Sequence, residues 1–193
     1  MQKKFIPLMT AITIAGIVLL TSCKKDKGMT TAQPVIADTA IVVVNFSSAA
    51  SYSFFSFKNG TVSNVDSSTS KWDFGLRLTT FLINSYASGP GSAGVLVQDG
   101  IFDNIASAPA TGYAYDTSVS KLAIKDGSWY NYNPTTHAFN PIPGKIFIFR
   151  TADNHYAKME ILEVTYEPFT GYVPEKIDYK IRFAYQANGT GNF

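Results

Sequence analysis

Few side chains in this sequence are equipped for chemistry, and two of them are its only histidines, His137 and His155. No thiolate can join them in the body of the chain, because the single cysteine is Cys23, close to the N-terminus. A zinc site takes three or four ligands, so two histidines would need carboxylate help. Haem iron needs only one or two axial groups, such as His, Met or Tyr, and either histidine could serve. The two are not expected to share one iron. A strand predicted over residues 145–151 lies between them, and at roughly 3.3 Å per residue it spans about 23 Å. Axial nitrogens across one iron are only about 4 Å apart, given Fe–N bonds near 2 Å. His155 follows Asp153-Asn154 and reads as an exposed turn residue. His137 lies in a proline-spaced stretch, 133–144, read as a loop, beside Tyr130, Tyr132 and Phe139. It is either a surface loop histidine or a metal ligand with aromatic neighbours walling a flat molecule.

Catalytic signatures do not occur. The chain has no Gly-x-Ser-x-Gly and no His-Glu-x-x-His. The glycines of 89–94 resemble neither a phosphate loop nor a dinucleotide fingerprint, because no helical pattern follows them. Carboxylates are scattered, and no spacing singles out a pair for glycoside chemistry. The chain is therefore expected not to be an enzyme. Tyr113, Tyr115, Tyr130 and Tyr132 lie close to loops and could bind a porphyrin, a glycan or a peptide.

Cys23 has its own chemistry. Lys3 and Lys4 precede an uncharged stretch of 16 residues, 5–20, which runs into Leu20-Thr21-Ser22-Cys23 and then Lys24-Lys25-Asp26-Lys27. A cationic start, a short apolar core and small residues before a cut site mark a secretion signal. The apolar stretch falls short of the roughly 20 residues that span a bilayer. A cysteine after Leu-Thr-Ser resembles the bacterial lipobox, so Cys23 is expected to carry lipid and to become the mature N-terminus. The expected organisation is a lipoprotein signal at 1–22, a lipidated terminus and flexible tether at 23–38, and one β domain at 39–193. The charged residues after Cys23 fit either a plain tether or an export signal to the cell surface.

Of the 16 Lys and Arg, two leave with the signal, so 14 basic residues face 14 acidic ones. That balance gives no reason to expect nucleic-acid binding. Aromatics make up 14% and charged residues only 16% of the chain, a mixture that suits strands and tight turns. The elements that must position the candidate residues are accordingly strands. Runs at 41–46 and 52–57 lead to an Asn59-Gly60 hairpin signal, and Trp72, Phe74, Leu76 and Leu78 alternate on one face. Asp126-Gly127 is a second hairpin signal, between 121–124 and 129–132. Ile146 to Phe149 is apolar on both faces, as in a central strand, and a long strand starts near Tyr156. At the C-terminus Ile177, Tyr179, Ile181, Phe183 and Tyr185 alternate with polar residues, which ties the register to burial. The fold class is all-β, a single antiparallel-rich domain built as a sandwich or an open barrel.

Four blocks, in order, resemble the HmuY family of Bacteroidetes haem-binding lipoproteins. They are Tyr52-Ser53-Phe54-Phe55-Ser56-Phe57-Lys58-Asn59-Gly60 with Lys71-Trp72-Asp73-Phe74-Gly75-Leu76-Arg77, the small-residue stretch from Gly89 to Val95, Gly144-Lys145-Ile146-Phe147-Ile148-Phe149-Arg150-Thr151-Ala152-Asp153-Asn154, and the aromatic strand Tyr179 to Tyr185. The resemblance implies an all-β fold and lipid attachment to the outer membrane, with the domain at the cell surface. It also implies haem held between loops by two axial residues and passed to an outer-membrane haem transporter. His137 lies near the family's second ligand position, with Tyr130 and Tyr132 as cofactor-binding neighbours. The stretch from Tyr115 to Trp129, where a first ligand is expected, contains neither His nor Met. The alternative is a surface module of the same fold that lacks haem ligation and binds a glycan, a peptide or a partner protein.

Overall fold

The computed structural model describes residues 35–45, 51–167, 169–170 and 173–193. The signal at 1–22, Cys23 and the tether up to residue 34 lie outside the described residues. The described strands are β1 (Val35–Asn45), β2 (Ser53–Ser56), β3 (Gly60–Val62), β4 (Phe74–Arg77), β5 (Thr80–Ile83), β6 (Gly94–Asp99) and β7 (Tyr130–Asn133). They continue with β8 (Ala138–Pro141), β9 (Lys145–Arg150), β10 (Tyr156–Tyr166), β11 (Phe169–Thr170), β12 (Val173–Pro174) and β13 (Lys176–Gln186).

Strict alternation puts Ile177, Tyr179, Ile181, Phe183 and Tyr185 of β13 on one buried face. β13 sits between β1 and β10 in an antiparallel five-stranded sheet of order β1-β13-β10-β9-β6. A second sheet has the order β3-β2-β4-β5, and β7-β8 and β11-β12 are separate hairpins. Phe55 and Phe57 from β2 and its end, Phe74 from β4 and Phe81 from β5 pack onto β9 and β13 of the large sheet. Ring centroids are 4.9 Å apart for Phe57–Phe149, 5.8 Å for Phe81–Phe147 and 5.8 Å for Phe55–Phe183. The architecture is therefore a sandwich, with an aromatic layer as its filling.

Central strand β9 is buried from Ile146 through Phe149, as its two-sided apolar pattern requires. Phe147 and Phe149 face the small sheet. Ile146 and Ile148 face outward into a second core with Phe102 and Ala184, closed by Tyr113 and Phe193. The loop at 100–114 and the C-terminus thus cover the back of the sheet.

Four sequence expectations need correction. β1 begins at Val35, inside the segment read as tether, because it pairs residue for residue with β13, from Val35 opposite Gln186 to Asn45 opposite Lys176. Trp72 and Leu78 both leave the alternating face of Phe74 and Leu76: Trp72 lies against Phe54, ring centroids 4.6 Å apart, and Leu78 takes a left-handed turn conformation, φ 49°. Its carbonyl accepts a hydrogen bond from the Tyr179 hydroxyl at 2.5 Å. Asp126-Gly127 does turn the chain, with Gly127 at φ 75°, but residues 121–124 form no strand and β7 pairs forward with β8 instead. Residues 133–144 are correspondingly a hairpin and its exit, not an open loop.

Buried polar side chains tie the sheets together. Both carboxylate oxygens of Asp73 accept backbone N–H groups at 2.8 Å, one from Phe57 and one from Ala152 in the turn after β9. Asp73 is only 4% exposed. Burial pushes its carboxyl up to about 6, against the Ala152 and Phe57 bonds that pull it down. The folded chain therefore keeps the proton where the unfolded chain has lost it. The associated stability is complete below about 3.8, the ordinary value, and is lost as pH rises through about 6. Asp73 alone should lower the unfolding free energy by roughly 3 kcal/mol between acid and neutral pH. Asp73→Asn, which cannot titrate, should lose that slope. Urea unfolding of both proteins across about pH 3 to 7 (about one unit either side of the window) checks this, and parallel profiles would refute it.

Candidate functional site

The β7–β8 hairpin carries all three candidate residues named from sequence. Tyr132 pairs with Phe139 and Asn133 with Ala138, which leaves residues 134–137 as the turn. Asn133 closes the turn, its side-chain oxygen accepting the N–H groups of Thr135 at 2.9 Å and Thr136 at 3.3 Å. Asparagine does this readily because its short side chain reaches the backbone two residues on. His137 ends the turn at φ 57°, a left-handed conformation uncommon for a residue with a Cβ. The Tyr132 hydroxyl lies 2.7 Å from His137 Nδ1 in a hydrogen bond, and both side chains are exposed.

Tyr130 belongs to the root of the hairpin. Its ring lies 4.9 Å from Trp129 and 5.6 Å from Phe139, and its hydroxyl donates to Asp126 Oδ1 at 2.9 Å. Burial, with Asp126 adding to it, raises the Tyr130 phenol above its ordinary value. The structure therefore brings Tyr132 and His137 together and places Tyr130 in packing against Trp129. Phe139, buried at 8%, anchors the hairpin. Its N–H donates to the Tyr166 hydroxyl at 2.8 Å and its carbonyl accepts from that hydroxyl at 3.1 Å. Trp129 Nε1 donates to the Thr79 carbonyl at 3.2 Å.

His155 follows the 152–154 turn and is half-buried, where the sequence suggests an exposed turn residue. Its Nδ1 is 3.0 Å from Asp153 Oδ1, its N–H donates to Thr151 Oγ1 at 2.9 Å, and its ring rests 5.8 Å from Tyr185. The hairpin docks on Tyr166, at one end of the 11-residue strand β10, whereas His155 adjoins Tyr156 at the other. Roughly 30 Å of strand separates the two ends. Met159 is fully buried in the same strand. Among the described residues no group of three or more His, Cys, Asp or Glu side chains could hold a metal ion. The hairpin tip can offer one imidazole nitrogen, with the other nitrogen held by a phenol.

Sequence reasoning missed a second feature. An open cleft of about 380 Å³ lies between the 85–92 segment, Tyr115 and Arg150. The aromatic pair that borders it, Tyr86 and Tyr115, meets edge to face at 5.7 Å and 82°. Only Tyr115 carried a sequence signal, as a loop-proximal tyrosine. Tyr113, grouped with it, instead packs into the second core and donates to the Pro109 carbonyl at 2.8 Å, and burial pushes its phenol up to about 12.

No protein-family model matches the chain, and no curated protein matches it. Solved structures do. The apo HmuY analog of Tannerella forsythia is similar over 79% of this chain and 98% of its own, at 13% identity and a TM-score of 0.51. A protein of Bacteroides vulgatus named HmuY-like and heme-binding is similar over 77% of this chain and 92% of its own, at 17% identity and a TM-score of 0.48. A protein of Bacteroides fragilis named as a lipoprotein covers 74% of this chain and 89% of its own, at 14% identity and a TM-score of 0.43. Identities this low speak to fold and not to chemistry. The sandwich with its docked hairpin is a HmuY-like fold.

Proposed function

We propose that the chain is a non-catalytic, lipid-anchored binding protein that takes haem or a related porphyrin as cargo at the β7–β8 hairpin, with His137 as axial ligand. Cys23 would supply the anchor, and the acceptor of the cargo would be an outer-membrane transporter. One observation carries the reading, the hydrogen bond between the Tyr132 hydroxyl and His137 Nδ1 on an exposed hairpin tip. Iron ligation selects the tautomer in which Nδ1–H donates to the phenol oxygen, leaving the lone pair on Nε2. A ligand histidine is commonly oriented through its other nitrogen in this way. The left-handed backbone of His137 agrees with it, because local backbone strain gathers at binding and active sites. Tyr132, 54% exposed, is placed to lie against a flat ring system.

The fit is one-sided. His155 is held at the far end of β10 and Met159 is inside the core, so neither reaches the hairpin tip. The reading is therefore of single axial ligation, weaker than a site with two. The HmuY-like fold supports the class of function without specifying the cargo.

Haemin titration of the chain from residue 29 onward, followed at the Soret band, tests the cargo. Wild type should show a saturable shift and His137→Ala should lose it. Tyr132→Phe, which removes the orienting phenol, should weaken affinity by about 10- to 100-fold. A flat titration in wild type sinks the haem reading, and a shift that survives His137→Ala sinks the ligand assignment. Location is tested separately by protease treatment of intact cells. Digestion of the β domain is the expected result, and complete protection would place it on the periplasmic side.

A further inference from the structure

The cleft beside the 85–92 segment is a second site, with no contribution from the β7–β8 hairpin. We propose that it binds a carboxylate-bearing sugar, a uronic or sialic acid unit, with Arg150 taking the carboxylate and Tyr86 the face of the ring. The inference does not rest on the haem reading and would survive its failure.

Arg150 supplies the first argument. Its Nε and Nη2 donate to the Ser92 carbonyl at 3.3 and 3.2 Å, which fixes the plane of the guanidinium. The ring of Tyr115 lies 5.8 Å from its Cζ. A guanidinium has five N–H donors, so these two bonds leave three. No carboxylate among the described residues forms an ion pair with Arg150, and no Asp or Glu lines the cleft. By contrast Arg182 is paired with Glu160 and Asp103. A pre-oriented, half-buried guanidinium with spare donors is a carboxylate receptor.

Tyr86 supplies the second. It is 75% exposed, and its backbone is left-handed at φ 43°. A glycine would take that backbone without strain, and the ring packs only edge to face on Tyr115, which leaves its face open. An exposed aromatic face beside a cation offers stacking to a flat apolar surface, which is what the CH face of a pyranose presents.

The wall between them is rigid. Asn84 accepts the Gly91 N–H at its side-chain oxygen at 2.8 Å, and Asp116 Oδ2 accepts the Ser88 hydroxyl at 2.6 Å. A Cβ at Gly91 would come within 2.8 Å of the Asn84 backbone oxygen, so only glycine lets the loop lie this close. A pre-formed wall lowers the ordering cost of binding. The rest of the lining is Ser, Gly and Pro, which suits a hydroxyl-rich ligand better than an aromatic acid, and about 380 Å³ is room for a sugar unit.

The test uses the full chain in detergent, with glucuronate, N-acetylneuraminate, glucose and acetate as probes, read by saturation-transfer NMR and calorimetry. One of the acidic sugars should bind saturably, and glucose and acetate should each bind about tenfold or more weakly. Arg150→Gln should abolish the preference for the acidic sugar over glucose. Tyr86→Gly, which relieves backbone strain at an exposed position and so preserves the fold, should weaken the acidic sugar by a similar factor. Equal binding of acetate would reduce the site to an anion contact and overturn the sugar assignment. No saturable binding of either acidic sugar, or affinities unmoved by Arg150→Gln or Tyr86→Gly, would overturn the proposal.

Discussion

Three buried polar side chains do for the loops of this sandwich what ladder hydrogen bonds do for its strands. Asp73, Asn84 and Asp116 are each 4% exposed or less. Asp73 clamps Phe57 to Ala152, and so the small sheet to the β9–β10 turn. Asn84 donates to the carbonyls of Thr69 at 2.9 Å and Trp72 at 2.7 Å while accepting from Gly91. Asp116 accepts from Ile83 at 2.8 Å, Ala123 at 2.7 Å and the Ser88 hydroxyl. A buried N–H or C=O without a partner costs on the order of 1–3 kcal/mol. The backbone groups they hold are buried or half-buried, so without the three side chains several such groups would be left unpaired at once.

That constraint decides where function can sit. The aromatic layer between the sheets, from Phe55 and Phe74 to Phe149 and Tyr185, is buried. The clamped loops and the docked hairpin present the candidate sites at the rim. Rigidity and exposure coincide in two places. At the hairpin tip, Asn133 closes the turn and Phe139 anchors its base, so Tyr132 and His137 stand out on a braced support. At the cleft, Asn84 and Asp116 brace the loop that carries Tyr86. The likeness to the HmuY analog is one of fold, while the chemistry at each rim belongs to the side chains of this chain.

Much of the fold was legible where burial and period agree. β13 and β9 were read correctly because their inward positions carry large apolar groups, on one face in β13 and on both in β9. Short polar segments were misread. β7 matches the strand read at 129–132, but β8 holds Asn and Pro with little apolar alternation, so residues 133–144 looked like a loop, and the docking of Phe139 on Tyr166 holds the hairpin there. Val35 to Asp38 looked like tether because a mostly exposed edge strand needs few apolar residues, and its pairing with β13 depends on a partner about 150 residues away.

The sequence by itself determined the all-β class, strands β9, β10 and β13 of the large sheet, the charge balance, the single cysteine at the lipobox-like site and the absence of familiar catalytic motifs. Each follows from local composition or spacing. It also placed Tyr132 and His137 five residues apart, close enough to meet across one turn. Tertiary structure alone decided that Asp73 and Asp116 are interior clamps and not surface charges. It alone decided that Arg150 lies against the carbonyl of Ser92, 58 residues away in the chain, facing two tyrosines and no acid. Burial and partner choice depend on contacts distant in sequence, and no local pattern encodes them.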